Sequence, residues 1–343
     1  MPEFDFLLKI ALFQKSMTIQ KAVIHYFWDK AQPILEGSGI HLKPVPKSWT
    51  SLRHNYFSVL FITTFFILEI PIQRLILFAR LNHCLRSWVT ACDNLLDNEL
   101  KEIVVSDLPE DAQTFKSVHT LLLTDRIFFS FLLDAVEEGT ISRDEMVRLL
   151  NISLTAISAS GREEAEEEGG VKDTPPPEQV LYKVHLAKTG QLFTAPLSAP
   201  LALGDIHLKN SIVAQVNEGL LAFGLGCQIL DDISDLGTDL LDQKYNYLAA
   251  LIQHGNRKQE KDLLNTFQPD PSEDSNGQLA GLYQQFPEAS EKAFAEATNQ
   301  LQRSLTLLSE AGLPLSALNR EMFIKILIKV FHHPNRLLNL RDR

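Results

Sequence analysis

The chain is short of cysteine, of net positive charge and of long apolar runs, and each shortage excludes something. Only 3 of its 343 residues are cysteine (Cys84, Cys92 and Cys227). That is too few and too scattered for a disulfide framework or a zinc cluster, so a reducing cytoplasm is expected, with Cys84 and Cys92 as small buried residues and not ligands. The 32 Lys and Arg stand against 43 Asp and Glu, a net charge of −11, which argues against a nucleic-acid binder with a broad basic surface. The apolar stretch 57–68 is interrupted by Glu69 and Pro71, well short of the ~20 residues of a bilayer span. A buried helix is expected there instead of a transmembrane segment. The first fifteen residues carry acids where a signal peptide wants bases, and no small-residue cleavage site follows. Gly and Pro, at 16 each, fit neither collagen nor wholesale disorder. Short β-branched runs between turn signals are scarce, and no repeat of fixed period is found.

What the chain has is helical periodicity. Phe61, Phe65, Leu68 and Ile72 recur at spacings of four, three and four, and residues 121–136 and 145–157 read the same way. Residues 37–47, 161–178 and 268–277 carry the Gly, Pro and polar clusters of loops. The length allows one large domain or two small ones. Long helical patterns flank every loop, so one all-α bundle is expected, with 1–50 as an N-terminal helical extension and loop and 51–343 as the helical domain. The acidic run at 163–168 (EEAEEE) reads as a solvated face.

Two carboxylate motifs lie on predicted helices. Asp93 and Asp97, in DNLLD, are at i and i+4 and share one face; Leu95 and Leu96 are expected to hold that helix in the core. Taken alone, the pair reads as an exposed turn with Asp97 paired to Lys101. The second motif, 228–235 (QILDDISD), changes that. Asp231, Asp235 and Asp239 recur every four residues after an apolar, small-residue run. A self-repelling acidic stripe on an otherwise buried helix calls for a hard cation. Magnesium typically takes one or two carboxylates plus phosphate oxygens, so two facing acidic helices would hold several Mg²⁺ ions with a diphosphate between them. Lys188 sits in a third apolar helix, an expensive place for an unpaired ammonium. A diphosphate would compensate it; otherwise its stem reaches solvent.

Together these segments resemble the trans-prenyl diphosphate synthases, of the class I isoprenoid (terpenoid) synthase superfamily. The 228–235 motif matches that family's Q-I-x-D-D-x-x-D. Residues 239–244 (DLLDQK) are similar to its D-L-x-x-G-K, with Gln243 in place of the glycine. Residues 188–193 (KTGQLF) match K-T-x-x-L-F, preceded by the expected Tyr182. Gly161-Arg162 resembles a G-Q pair, and Thr124-Asp125 a G-D pair. The resemblance runs over residues 52–251. It implies an all-α bundle with a central active-site cavity, commonly as a homodimer. It implies Asp93, Asp97, Asp231 and Asp235 as ligands of about three Mg²⁺ ions, with Asp232 among the metal residues and Gln228 in support. Lys188, with Thr189 beside it, and Lys244 would bind an allylic prenyl diphosphate. Ionisation would leave a carbocation in an apolar, water-free pocket. Such a substrate makes peripheral membrane contact conceivable.

The departures shape the functional expectation. Asn94 stands where the family has a second aspartate, and no Arg-Arg-Gly follows Asp97. The element that holds isopentenyl diphosphate is not recognisable: Arg53, helped by Lys43 or Lys47, is a poor match for it. Arg86 falls seven residues before Asp93, where elongating enzymes often carry a histidine. The first expectation is therefore a terpene synthase on a prenyltransferase scaffold. The alternative is a prenyltransferase with a rebuilt isopentenyl diphosphate site, and a further alternative is a non-catalytic subunit. Bulky Trp88 and Val89, one turn before the first aspartate, imply a C10 to C20 substrate. Trp88 is expected beside Phe128, Phe129 or Phe131. His332-His333 is expected in an exposed end, with Arg336, Arg341 and Arg343 as a conceivable lid.

Overall fold

The computed structural model describes residues 4–97, 100–267 and 279–331. The loop expected at 268–277, and His332, His333, Arg336, Arg341 and Arg343, lie outside them. The described chain is helical, and its one β feature is the isolated bridge Leu42↔Ser106. It divides into two compact units. The first comprises Met1–Ala156 with Pro196–Val213, and the second Ile157–Ala195 with Ala214–Arg343.

The first unit holds α1 (Ala11–Leu35), α2 (Leu52–Ile67), α3 (Ile72–Leu96) and α4 (Gln113–Glu137). α1 packs on α2, α3 and α4. It buries Phe13, Val23, Ile24, Phe27 and Ala31, so α1 belongs to the core of the first unit. Each of the four larger side chains contributes about 1.5–3 kcal/mol through apolar burial. α2 is buried along the stretch that looked too short to span a membrane: Val59, Leu60, Ile62 and Phe65 are covered. Phe65 meets Phe78 of α3 edge-on at 6.1 Å. Pro71, just before α3, is a natural start because its missing N–H has no helical partner to lose.

α5 (Arg143–Glu167) and α6 (Ser211–Ser234) contribute residues to both units. α5 carries through Gly161 and the acidic run as far as Glu167, so the first seven residues of the loop expected at 161–178 are helical. Helix order persists there because the run supplies residues of good helix propensity, with Gly161 the single weak one. α6 is long and apolar enough to cross a bilayer by length and composition, yet 61% of its apolar window is buried inside the structure, as befits a core helix.

The second unit continues with a π-helix (Val180–Gly190), α7 (Leu236–Asp242), α8 (Tyr247–His254), α9 (Lys258–Thr266), α10 (Pro287–Glu310) and α11 (Ala317–Phe331). Close helix approach here depends on small residues of α6. A Cβ on Gly224 would meet the Thr189 carbonyl oxygen at 2.8 Å, and one on Gly226 would meet Leu301 of α10 at 2.7 Å. The Asn246 side chain caps α8 by accepting the Ala249 N–H at 2.9 Å. Gln243 ends α7 in the left-handed region, φ 55°. That conformation is easy for glycine and costs other residues about 1–2 kcal/mol.

Candidate functional sites: an aspartate pair in each unit, a lysine and an arginine

In the first unit, Asp93 and Asp97 occupy the last turn of α3, with the Asp97 N–H donating to the Asp93 carbonyl at 2.8 Å. Asp93 is half-buried and Asp97 exposed. Leu95 and Leu96 are exposed, contrary to their expected core role. The residue that fastens this turn is Asn94, which is buried. Its Oδ1 accepts the Lys101 N–H at 2.8 Å and its Nδ2 donates to the Lys101 carbonyl at 3.2 Å. The position that would carry a further aspartate is thus a neutral clasp for the following loop. Cys84 is buried as expected, and Cys92, beside Asp93, is exposed.

A second cluster lies where α1, α2 and α3 meet. Arg86 donates to Asn55 Oδ1 at 3.1 Å, and Gln20 Nε2 donates to the same oxygen at 3.2 Å. Asn55 Nδ2 is held by the Trp49 and Ser51 carbonyls at 2.6 and 2.8 Å. Burial pushes the Arg86 guanidinium pKa down, opposed only by Tyr56, and among the described residues no carboxylate is paired with it. Burial, followed by the Arg86 and Arg53 charges, pushes His54 down, so both guanidiniums stand near that ring. His83, one turn before Arg86, is buried with neither ring nitrogen hydrogen-bonded. Burial and Arg86 lower its pKa to about 3. Lys43 and Lys47 are exposed. Trp88 packs on Phe128, with ring centroids 4.9 Å apart. Phe129 is exposed, and Phe131 stacks on Tyr26 instead.

In the second unit the acidic stripe is broken in two. α6 ends at Ser234 and α7 begins after Asp235. Asp231 and Asp235 stay one turn apart, the Asp235 N–H donating to the Asp231 carbonyl at 2.8 Å. Asp239 instead accepts from Asn246 Nδ2 at 2.7 Å. Burial, with Asp232, Asp235 and Asp231 nearby, drives the Asp239 carboxyl well above the usual range. Asp232 points inward and is 1% exposed. Its Oδ2 meets His185 Nε2 at 2.6 Å and the Tyr247 N–H at 2.5 Å, and its Oδ1 accepts from Gln228 Nε2 at 2.8 Å. Those bonds occupy both oxygens, so Asp232 organises the acidic turn and is not placed as a metal ligand. Gln228 Oε1 in turn accepts from the Thr189 hydroxyl. The chain Thr189–Gln228–Asp232–His185 therefore ties the π-helix to α6. Lys244 is half-buried, its N–H donating to the Asp239 carbonyl at 2.8 Å.

Lys188 does not reach solvent along its stem; its ammonium is paired within the second unit. Its ammonium lies 2.8 Å from Glu164 Oε1 and 2.8 Å from Glu167 Oε2. The expectation of a solvated acidic run fails at these two residues because they are the lysine's counter-ions. His185, Glu164 and Glu167 were the residues missed. The available signal was a histidine and a lysine three residues apart in an apolar helix, each needing a buried acid.

The donors suit magnesium. Among the described residues no group of three or more His, Cys, Asp and Glu converges as a complete cage. A pair of hard carboxylate oxygens, such as each unit carries, is what Mg²⁺ uses when phosphate and water complete its shell.

A search of solved structures aligns nearly the whole chain. A geranylgeranyl pyrophosphate synthase from Lactobacillus brevis superposes with a TM-score of 0.60 at 15% identity, covering 96% of this chain and 99% of that one. A decaprenyl diphosphate synthase from Rhodobacter capsulatus gives 0.60 at 15% identity, covering 95% and 98%. A geranylgeranyl pyrophosphate synthetase from Pyrococcus horikoshii gives 0.56 at 19%, covering 94% and 98%. The fold is that of the trans-prenyl diphosphate synthases. No family model matches the chain, and no curated protein matches it by sequence. Sequence identity this low transfers the isoprenoid-synthase fold and nothing finer, so what the chain does must be argued from its own side chains.

Proposed function

We propose that the protein is a magnesium-dependent prenyltransferase that joins isopentenyl diphosphate to an allylic prenyl diphosphate of C10 to C20. The observation that carries this reading is Arg86: a desolvated guanidinium bonded to the neutral Asn55, with Arg53 and His54 near it. A half-buried, desolvated cation with no acid paired to it suits an anion. The terpene synthase expectation rested on the lack of recognisable basic elements for a second substrate, and this cluster supplies them in a different form.

Asp93 and Asp97 in the first unit and Asp231 and Asp235 in the second are the residues that would hold magnesium. Bound there, the ions would neutralise charge on the departing diphosphate. Lys188 and Lys244 are assigned to the allylic diphosphate, and Arg53 and Arg86 to the diphosphate of isopentenyl diphosphate. The allylic C–O bond breaks with its electron pair leaving on the diphosphate. The isopentenyl double bond attacks the allylic cation, and loss of one proton completes the longer chain. Trp88, packed on Phe128, limits the length of the apolar tail. Three free thiols and a net charge of −11 suit work in the cytoplasm.

The homodimer is assigned to the outer face of α4. Phe115, Val118, Leu122, Phe129 and Leu133 follow at spacings of three, four, seven and four, and all are exposed. Asp125 and Arg126 interrupt the stripe near its middle. An antiparallel two-fold pairing of this face would bring opposite charges together there.

The test is incubation with Mg²⁺ and geranyl, farnesyl or geranylgeranyl diphosphate, with and without isopentenyl diphosphate. Chain growth that requires isopentenyl diphosphate is expected, and product lengths test the C10 to C20 limit. Hydrocarbon or alcohol formed without it would restore the terpene synthase, and no turnover in any mixture would leave a non-catalytic subunit.

A further inference from the structure

The acidic run at 163–168 has no part in the reaction assigned above, yet two of its members are among the better-buried carboxylates of the second unit. Lys188 Nζ is 2.8 Å from both Glu164 Oε1 and Glu167 Oε2, and the three side chains are 15%, 20% and 2% exposed. One ammonium between two carboxylates leaves the group with a surplus negative charge. Glu167 Oε1 is buried with no hydrogen-bond partner, so that surplus is not passed to another donor. A purely structural pair needs one acid, and a second buried carboxylate adds desolvation cost without a second cation. Burial, with Glu164 beside it, accordingly pushes the Glu167 pKa up.

The location gives the surplus a consequence. Lys188 precedes Thr189, whose hydroxyl bonds Gln228, one turn before Asp231 and Asp232 on α6. It also sits on a π-helix, a rare form that concentrates at functional sites. The acids come from the last turn of α5, which is followed by Gly169 and by Gly170 at φ 77°.

We propose that Glu164 and Glu167 act as a latch that competes with diphosphate for Lys188 and so sets how tightly the second unit holds its anion. The inference rests on the assignment of Lys188 to the allylic diphosphate. With the latch closed, an arriving diphosphate meets a net negative group and must draw the ammonium away from its two acids. Removing one acid leaves a neutral Lys–Glu pair that gives up its proton donors more readily. Glu164 and Glu167 are then positioning residues, acting on substrate only through Lys188.

The experiment is calorimetric titration of the full chain with inorganic pyrophosphate, with and without Mg²⁺, on wild type and four variants. Glu164→Gln leaves the buried Glu167 to partner Lys188, so it keeps the fold, as circular dichroism will confirm. It should bind pyrophosphate about tenfold more tightly, the scale of one removed like charge in a half-buried setting, and lower KM for the allylic substrate more than it changes kcat. Glu164→Asp keeps the charge and should bind like wild type. Lys188→Gln should weaken binding, and adding Glu164→Gln to it should restore nothing. If Lys188→Gln weakens binding while Glu164→Gln binds like wild type, the latch is overturned and the reaction assignment stands. If Lys188→Gln leaves binding unchanged, the assignment of Lys188 itself fails and takes the latch with it.

Discussion

The Asp232 carboxylate meets the His185 ring nitrogen at 2.6 Å, and neither side chain is more than 1% exposed. Its neighbour Asp231 faces outward. Two adjacent aspartates of one motif are therefore placed differently, one holding helices together and one exposed, where the proposed reaction would use it. Asp232→Ala should cost about 3 kcal/mol of stability, because it orphans His185, Gln228 and the Tyr247 N–H. Asp231→Asn should leave the melting temperature unchanged and lower prenyl transfer by about 10²-fold or more, the scale of losing a group that stabilises charge in the transition state. Equal melting shifts in the two variants would contradict this division.

The assignment of Arg86 to isopentenyl diphosphate predicts a kinetic separation of the two substrates. Arg86→Gln removes a charge-assisted contact of about 1.5–3 kcal/mol, so KM for isopentenyl diphosphate should rise by roughly 10- to 100-fold while KM for the allylic substrate stays put. Steady-state kinetics with each substrate varied in turn checks it; equal rises in both would remove the two-site assignment.

His83 gives the first unit a pH dependence of known sign. Its pKa is lowered to about 3 by burial and by Arg86, against about 6.5 in an unfolded chain. Between those values the unfolded state binds the extra proton, so stability is complete above pH 6.5 and falls as pH drops toward 3, by at most about 1.4 kcal/mol per unit. His83→Phe should flatten that slope in urea unfolding followed from pH 7 to pH 4. An unchanged slope would mean that the imidazole titrates normally.

The outer face of α4 predicts association. Leu122→Glu puts a charge into the middle of the apolar stripe, and sedimentation should show the wild type as a dimer and the variant as a monomer of unchanged helicity. A monomeric wild type at micromolar concentration would leave that face without its partner.

Gln243 holds a left-handed backbone, φ 55°, where the resembling motif has glycine. Gln243→Gly should relieve about 1 kcal/mol of strain, net of glycine's greater unfolded-state entropy, and raise the melting temperature by a few degrees. A lower melting temperature would show that the Gln243 side chain contributes more than its backbone costs.

Much of this was legible in the sequence, for definite reasons. The 3.6-residue apolar period gave α4, much of α5 and the second half of α2, though it ran on over the break between Ile67 and Ile72, and the ordered motifs from Asp93 to Lys244 pointed to the isoprenoid-synthase fold. Spacing could not tell Asp231 from Asp232, because one residue of rotation on a helix decides between solvent and core. Nor could composition show that Glu164 and Glu167 are buried, since an acid run is solvated unless a distant residue, here Lys188, supplies the counter-charge. Leu95 and Leu96 misled for the converse reason: a helix can end with leucines uncovered when a single asparagine, Asn94, fastens its last turn. Arg86 reads from the sequence as a departure, and only the converging helices reveal that its partner is the neutral Asn55, whose oxygen Gln20 shares.

The π-helix at Val180–Gly190 bonds each amide to a carbonyl five residues back instead of four. Its register thus depends on one residue more than an α-helical path would use. Deleting any single residue between Val180 and Val184 would let the segment relax to ordinary α geometry and swing the preceding turn by about 100° about the axis relative to His185, Lys188 and Thr189. Those three grips on Asp232, Glu167 and Gln228 are fixed by chain count as much as by chemistry, so a one-residue gap here would do more harm than most substitutions.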